Sequence, residues 1–445
     1  MIKSLAVIMP LLGLLCSSCS DLKVTAGTSK EVDERSIDEI QQKAMAGDVQ
    51  SQFILGVMFR DGEGVSQDLN EALLWLGKSA SSGHSTAQYY LGDIYLDETA
   101  SYYNIREAVK WYSQSAQQGY APAQSKIGDF FSLGLGGVKD AVQARKWYRK
   151  AASQGYAAAQ FELGRLCSQG EGGEKKAIDA FQWYKKAAEQ GYAPAQHKLG
   201  LAYFNGEGVM KNELEAVRWF RVAAKQDFPE AQTKLGELYD AGVGVPENDE
   251  EAIKWYLMAA LEGFPDAQFK LAKMYYDSVG FGKEYADALE WYQKAADQGH
   301  TEAQFQLAEM YREGNGIPRD YNEAIRWYTR AAEQGYADAQ LSLGIEYALG
   351  VRIERNEKLA VKWLGEAAWQ GYSSAQTILG TMYHFGKGVN KDFILAYAWY
   401  NLAASSGYEE AKSNRDTLEA MMTPEAIAKA QEYTTNLYQS INVDK

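Results

Sequence analysis

Positive charge, cysteine, histidine and long apolar runs are all scarce in this chain, and each shortage closes a class of function. Its 445 residues hold 45 Lys and Arg against 59 Asp and Glu, a formal net charge of -14. That excess of carboxylates repels a phosphate backbone and an anionic membrane surface, so neither nucleic acid nor electrostatic membrane binding is expected. Three cysteines supply no disulfide framework. Cys16 and Cys19 stand near the N-terminus, and Cys167 occupies a column that holds Phe131 before it and Tyr203 after it, where it reads as a small buried apolar residue. The four histidines, His84, His197, His300 and His384, are far apart and show no metal-ligand spacing. No metal or cofactor is expected. The apolar run Leu5–Leu15, with Pro10 inside it, is too short to cross a bilayer.

That run has another use. Lys3 precedes it and Ser17-Ser18 follow it, which is the layout of a secretory signal. Small residues ahead of Cys19 resemble a bacterial lipoprotein signal, although Cys16 stands where leucine is usual. The resemblance implies a signal peptide over residues 1–19 and lipidation of Cys19. Ordinary cleavage near Ser18 or Ala26 is the alternative. The expected location is then the periplasm or outer membrane, with the lipid anchor as the only membrane contact. Residues 20–35 are polar and aperiodic, as a flexible tether would be.

What the chain has in plenty is aromatic residues on a grid. Trp75, Trp111, Trp147, Trp183, Trp219, Trp255, Trp291, Trp327, Trp363 and Trp399 each follow the last by 36 residues. A fixed period of this size marks a solenoid. One clean copy reads Ala303-Gln304, Leu307-Ala308, Tyr311, Gly314-Asn315-Gly316-Ile317, Ala324, Trp327-Tyr328, Ala331-Ala332 and Gly335. Each copy predicts helix A, a glycine loop, helix B and a closing turn. In the second copy Gln88, Leu91, Gly92 and Tyr95 share one face of helix A. The Gly92 column is small in every copy, which predicts close passage of another helix. The two loop glycines, as in Gly62-Glu63-Gly64-Val65, end helix A and permit positive φ. A phosphate-binding loop would need a preceding strand and a Lys-Ser/Thr pair, and neither is present. Ser36-Ile37-Asp38-Glu39 reads as a capping box opening a half-repeat over residues 36–47, ahead of ten repeats over 48–408. Residues 409–445 form C-terminal capping helices. The last of these starts at Thr423-Pro424-Glu425 and carries Ile427, Ala430, Tyr433 and Leu437 as an apolar stripe. The expected fold is an all-α, α/α superhelical solenoid of about ten 36-residue helix-loop-helix repeats, capped at both ends. Three copies depart from the pattern: the second loop, Asp97–Asn104, lacks glycine, Asp227 replaces a closing glycine, and Arg352 interrupts the ninth loop.

The Ala-Gln-x-x-Leu-Gly-x-x-Tyr, Gly-x-Gly-Val, Ala-x-x-Trp-Tyr-x-x-Ala-Ala and Gly-Tyr elements together resemble the Sel-1-like repeat family, relatives of tetratricopeptide repeats. The resemblance implies a protein-interaction scaffold whose A helices line the concave side. Its partner would be a protein of the cell envelope or of a host. The A-helix columns opposite the core vary along the chain, as a recognition surface would. They hold Tyr89, Asp93, Phe161, Arg165, His197, Leu201, Phe204, Phe269, Lys273, Tyr276, Phe305, Glu309 and Arg312. Phe269 and Phe305 in adjacent copies suggest an aromatic patch, unless the column tucks into the seam between repeats. Binding of peptidoglycan or another envelope glycan in the same groove is the second reading. The third, β-lactam hydrolysis, belongs to cysteine-rich relatives with a Cys pair in each repeat, which this chain lacks. Its Ser-x-x-Lys, Ser20 to Lys23, falls in the tether. No catalytic residues are expected, and the chain is not read as an enzyme.

Overall fold

The computed structural model describes residues 34–99, 101–135, 137–277 and 285–443. Residues 1–19, expected as a signal peptide, with Cys19, and residues 20–33 of the expected tether lie outside the described residues. Among those described there are 23 helices and no strand, an all-α solenoid of helix pairs. The chain divides into two compact units, 1–183 and 184–445, with the boundary inside the helix Ala177–Glu189.

In the first unit a helix Glu34–Met45 precedes the first repeat, whose helices are Val49–Asp61 and Leu69–Ser81. The second repeat is Ser85–Leu96 and Ile105–Gln117, the third Ala121–Leu133 and Ala141–Ser153, and the fourth opens with Ala157–Gln169. The second unit carries the fifth repeat (Ala193–Asn205, Glu213–Ala224), the sixth (Pro229–Asp240, Asp249–Leu261), the seventh (Pro265–Asp277, Tyr285–Asp297) and the eighth (Thr301–Glu313, Tyr321–Glu333). The ninth (Ala337–Leu349, Glu357–Trp369) and tenth (Ser373–Phe385, Phe393–Ser405) follow, then Glu409–Glu419 and Pro424–Val443.

Local chemistry sets each boundary. Most B helices open on Asp or Asn, whose side chain accepts the free N–H groups of the first turn; Asp320, for example, accepts from Asn322 at 2.9 Å and Glu323 at 3.1 Å. Most A helices close on a glycine in the left-handed region, such as Gly62 at φ 73° and Gly314 at φ 79°. The second loop glycine has a packing reason as well. A Cβ at Gly388 would lie 2.3 Å from the Glu357 carbonyl oxygen, at the start of the preceding repeat's B helix.

The small A-helix column passes the B helix of its own repeat. A Cβ at Gly92 would meet the Tyr112 ring at 2.6 Å, and one at Gly236 the Tyr256 ring at 2.7 Å. Tyr112, Tyr148, Tyr256, Tyr292, Tyr328 and Tyr400 fill the centre of their pairs and are almost wholly buried. The grid tryptophans lie nearer the surface, several beneath a cation three residues on: Lys78 is 3.8 Å above the Trp75 ring and Lys150 3.9 Å above Trp147.

Two expectations at the ends of the chain need correcting, and two departures from the repeat pattern are absorbed locally. The first helix is already formed at Glu34, so Ser36 lies within it and is not its cap. Asp227 leaves the closing turn intact, because it takes up the glycine's left-handed conformation at φ 56°. Arg352 keeps its loop closed by pairing with Glu346 at 2.6 Å. On the last helix Ala430, Leu437 and Ile441 are buried while Tyr433 is exposed, so the stripe passes through Thr434 instead.

Candidate functional site

A ladder of glutamines runs inside the repeats. Each is the second residue of the Ala-Gln pair on helix A. Gln304 donates from Nε2 to the Ala296 carbonyl at 3.1 Å, and its Oε1 accepts from Gln334 Nε2 at 2.8 Å. The same two bonds recur at Gln88, Gln124, Gln196, Gln268 and Gln340, with partners Gln118, Gln154, Gln226, Gln298 and Gln370. Where the partner position holds Ser82, Glu262 or Ser406, the buried Oε1 of Gln52, Gln232 or Gln376 has no partner. A second recurring bond joins the buried B-helix tyrosine to the A helix. Tyr112 donates to Asp93 at 2.6 Å, Tyr148 to Asp129 at 2.8 Å, and Tyr328 to Glu309. Where the B-helix residue has no hydroxyl, as in Leu76, Phe220 and Leu364, the matching A-helix residue is apolar: Val57, Leu201 or Ile345.

Most of the nominated columns are therefore engaged within the fold. In the first unit Tyr89 is buried, edge-on to Tyr112 and Tyr120 at 5.5 and 5.4 Å, and Asp93 serves the Tyr112 hydroxyl. Phe161 is half-buried, and Arg165 pairs with Glu162 at 2.7 Å. In the second unit His197 packs on Phe220 and Phe228, Leu201 joins the same cluster, and Phe204 lies beneath Lys234. Phe305 sits against Tyr328 and Tyr336, Glu309 accepts from Tyr328, and Arg312 pairs with Glu309. The Tyr276 hydroxyl accepts from Asn315 at 3.0 Å. The aromatic column is thus a seam: Tyr89 is buried, and Asp93 and Glu309, both half-buried, are engaged by the tyrosine hydroxyls. Lys273 is exposed.

Phe269 differs, because it borders an open cleft. This cleft of about 520 Å3 lies over the A helices of the sixth and seventh repeats and the start of the eighth. Thr233, Glu237, Asp266, Phe269, Lys270 and the His300 turn line it. Phe269 stacks on His300 with centroids 4.7 Å apart. His300 Nδ1 accepts the Ala303 N–H at 3.2 Å and so caps its helix, while Nε2 faces Asp266 at 3.3 Å. Burial pulls the His300 imidazole below the ordinary range, against Glu302 and Asp266. Burial pushes the Glu237 carboxyl up, but bonds to Lys234 at 2.9 Å and Lys270 at 3.0 Å outweigh it and hold the group below its usual range.

The interior beneath the cleft departs from the plan. Glu237 faces its two lysines, and the buried Tyr256 hydroxyl is left without a partner. Trp255 Nε1 and Gln232 Oε1, in the same repeat, are also unpaired. Native interiors pair nearly all such groups, and the exceptions cluster where something other than stability is served. The sequence pattern passed over Glu237, Lys270 and His300. A signal for them existed in the residue before the Leu column's Leu, which is lysine at Lys198, Lys234 and Lys270.

The model of the Sel1 repeat matches residues 49–84, 85–120, 121–156, 157–192, 193–228, 229–264, 265–300, 301–336, 337–372 and 373–408. The chain belongs to the Sel1 repeat family. A solved relative, a protective antigen present in uropathogenic Escherichia coli strains, is 29% identical, with 92% of this chain and 95% of that one covered and a TM-score of 0.58. A Sel1 repeat protein from Oxalobacter formigenes is 37% identical over 55% of this chain and 96% of that one, with a TM-score of 0.50. No curated protein matches the sequence. Sel1 repeat solenoids are typically protein-interaction scaffolds, generally without catalysis. Among the described residues no group of His, Cys, Asp and Glu could hold a metal ion, and no helix is long and apolar enough to cross a membrane.

Proposed function

We propose that this Sel1 repeat protein is a non-catalytic scaffold, exported to the cell envelope, that binds a protein partner on the A-helix face of its sixth to eighth repeats. The cleft bordered by Phe269, Lys270 and His300 carries the reading. It combines an aromatic ring with charges of both signs in one opening, which is how protein interfaces pair an apolar anchor with a polar rim. The unpaired Tyr256 hydroxyl beneath it supports the same choice, since Glu237, the carboxylate that would accept from it, is held by Lys234 and Lys270 instead. Export rests on the N-terminal signal layout and is supported by the full-length likeness to a protective antigen.

The test is a photo-crosslinking residue introduced at exposed Lys273, beside the cleft, and a control at exposed Lys294 on the B helix of the same repeat. In cells making the full chain, the first position should give one defined protein adduct and the second should not. Equal adducts from both positions, or adducts with glycan alone, would overturn the assignment.

A further inference from the structure

The first unit carries a second opening on a different face. A crevice of about 780 Å3 lies between the B helix Ala141–Ser153 and the next repeat's loop and B-helix start. Arg145, Lys146, Arg149 and Lys150 line one side. Gly172, Gly173, Glu174, Lys176 and Asp179 line the other. No acidic residue stands between Asp140 and Glu162 in a chain whose net charge is -14.

These cations have no counterions. In the second, fifth, sixth and eighth repeats a glutamate pairs with the cation three residues on: Glu107 with Lys110, Glu215 with Arg218, Glu251 with Lys254, and Glu323 with Arg326. In the third repeat that glutamate is Gln143, and Lys146 is left unpaired. Among the described residues, none of the four cations has a carboxylate within ion-pair distance. Arg145 reaches only a weak acceptor, the Cys167 thiol sulfur 3.1 Å from its Nη2, and its Nε is buried with no partner at all. Glu171 is turned instead toward Lys139 and Arg165.

The same crevice exists two repeats further on and serves as an internal control. Leu214, Val217, Arg218, Arg221 and Val222 line it, and its volume is about 270 Å3. There Arg145 and Lys150 are replaced by Val217 and Val222, Arg218 pairs with Glu215, and Arg221 donates to the Tyr239 hydroxyl at 2.8 Å. The fold makes the opening, and the third repeat makes it wide, cationic and unpaired.

We infer that this crevice binds an acidic peptide segment of a protein partner, with glutamate or aspartate side chains on Arg145 and Arg149. The two guanidiniums are one helical turn apart and match successive carboxylates by bidentate pairing. Glu174 and Asp179 on the opposite wall disfavour a polyanion such as nucleic acid or an anionic lipid surface. They suit a peptide, whose backbone N–H groups donate to them. The inference is independent of the A-helix cleft.

The experiment is calorimetric titration of the full chain with a capped glutamate-rich peptide and its glutamine counterpart, at low and physiological salt. The glutamate peptide should bind, more weakly as salt rises, and the glutamine peptide should not. The double variant R145Q/R149Q should bind at least tenfold more weakly, while R218Q, in the control crevice, should bind as the parent does. Circular dichroism establishes that the variants remain helical. Unchanged binding in R145Q/R149Q overturns the site. Displacement of the peptide by inorganic phosphate at equal concentration, or tighter binding to vesicles containing an anionic phospholipid, overturns the peptide assignment.

Discussion

The sixth and eighth repeats have the same helices, the same loop and the same aromatic centre, yet their interiors are finished differently. In the eighth, Tyr328 donates to Glu309, and Gln304 is bonded at both ends of its amide. In the sixth, Tyr256, Trp255 and Gln232 each leave a buried polar atom unpaired. Two positions account for two of these orphans. Lys234 replaces Gln306 and, with Lys270 of the next repeat, draws Glu237 outward; Glu262 replaces Gln334 and cannot donate to Gln232. One backbone plan therefore tolerates either a satisfied interior or a charged cleft, and stability comes from stacking on neighbours rather than from each repeat's own bonds.

The sharpest test of this comparison lies one repeat upstream. His197 occupies the column of Phe305 and packs on Phe220 and Phe228 as Phe305 packs on Tyr328 and Tyr336. Its Nδ1 is buried and unpaired, and burial, with Lys198 and Lys234 nearby, pulls the imidazole down to about 4. Unfolded, it titrates near 6.5. Between those values the unfolded chain binds the proton and the folded one refuses it, so stability falls as pH drops from about 6.5 to about 4, by on the order of 2 kcal/mol. His197→Phe should abolish that loss and install the arrangement of the eighth repeat. Asp93 and Asp129 of the first unit, pushed up to about 6 by burial, gain stability over the same interval. The readout must therefore be local: hydrogen exchange of residues 193–205 at pH 7 and pH 4.5. Equal protection at both values in the parent chain would break the comparison.

The tyrosines come next. Tyr328→Phe removes a donor from a half-buried carboxylate that keeps Arg312, and should destabilise the eighth repeat by about 1 kcal/mol. Tyr256→Phe removes a hydroxyl that bonds nothing, and should be neutral or stabilising by up to about 1 kcal/mol. Hydrogen exchange across each B helix separates the two. Equal losses would mean that Tyr256 has a partner after all.

How much of this was legible in the sequence follows from what repeats. The tryptophan grid, the Gly92 column and the paired loop glycines recur because every copy meets the same backbone geometry, and they dictate helix, loop and helix. The resemblance they carry was enough to name the family. The Tyr89 and Asp93 columns misled because variation looked like exposure. The Asp93 column varies because each copy matches a different B-helix partner: polar against Tyr112, apolar against Phe220. The cleft was invisible for the opposite reason. Glu237 comes from the sixth repeat and Lys270 and His300 from opposite ends of the seventh, and they meet only after stacking, so no single copy of the pattern contains all three.

The smallest effect isolates a single rung. In the eighth repeat Gln334 donates to Gln304, and in the sixth Glu262 stands in that place, a carboxylate with no N–H to donate. Glu262→Gln should restore the bond to Gln232 Oε1 and stabilise the seam by about 1 kcal/mol, while Gln334→Glu should remove its counterpart at a similar loss. Because Glu262 is exposed, its replacement also changes surface charge, and a gain alone would not identify the rung. Gln232→Leu supplies the distinction. If the gain comes from the rung, Glu262→Gln loses its effect in the Gln232→Leu background, a coupling that a double-mutant cycle measures directly. If the gain survives there, charge relief explains it, and the orphaned Gln232 oxygen is not what sets the sixth repeat apart from the eighth.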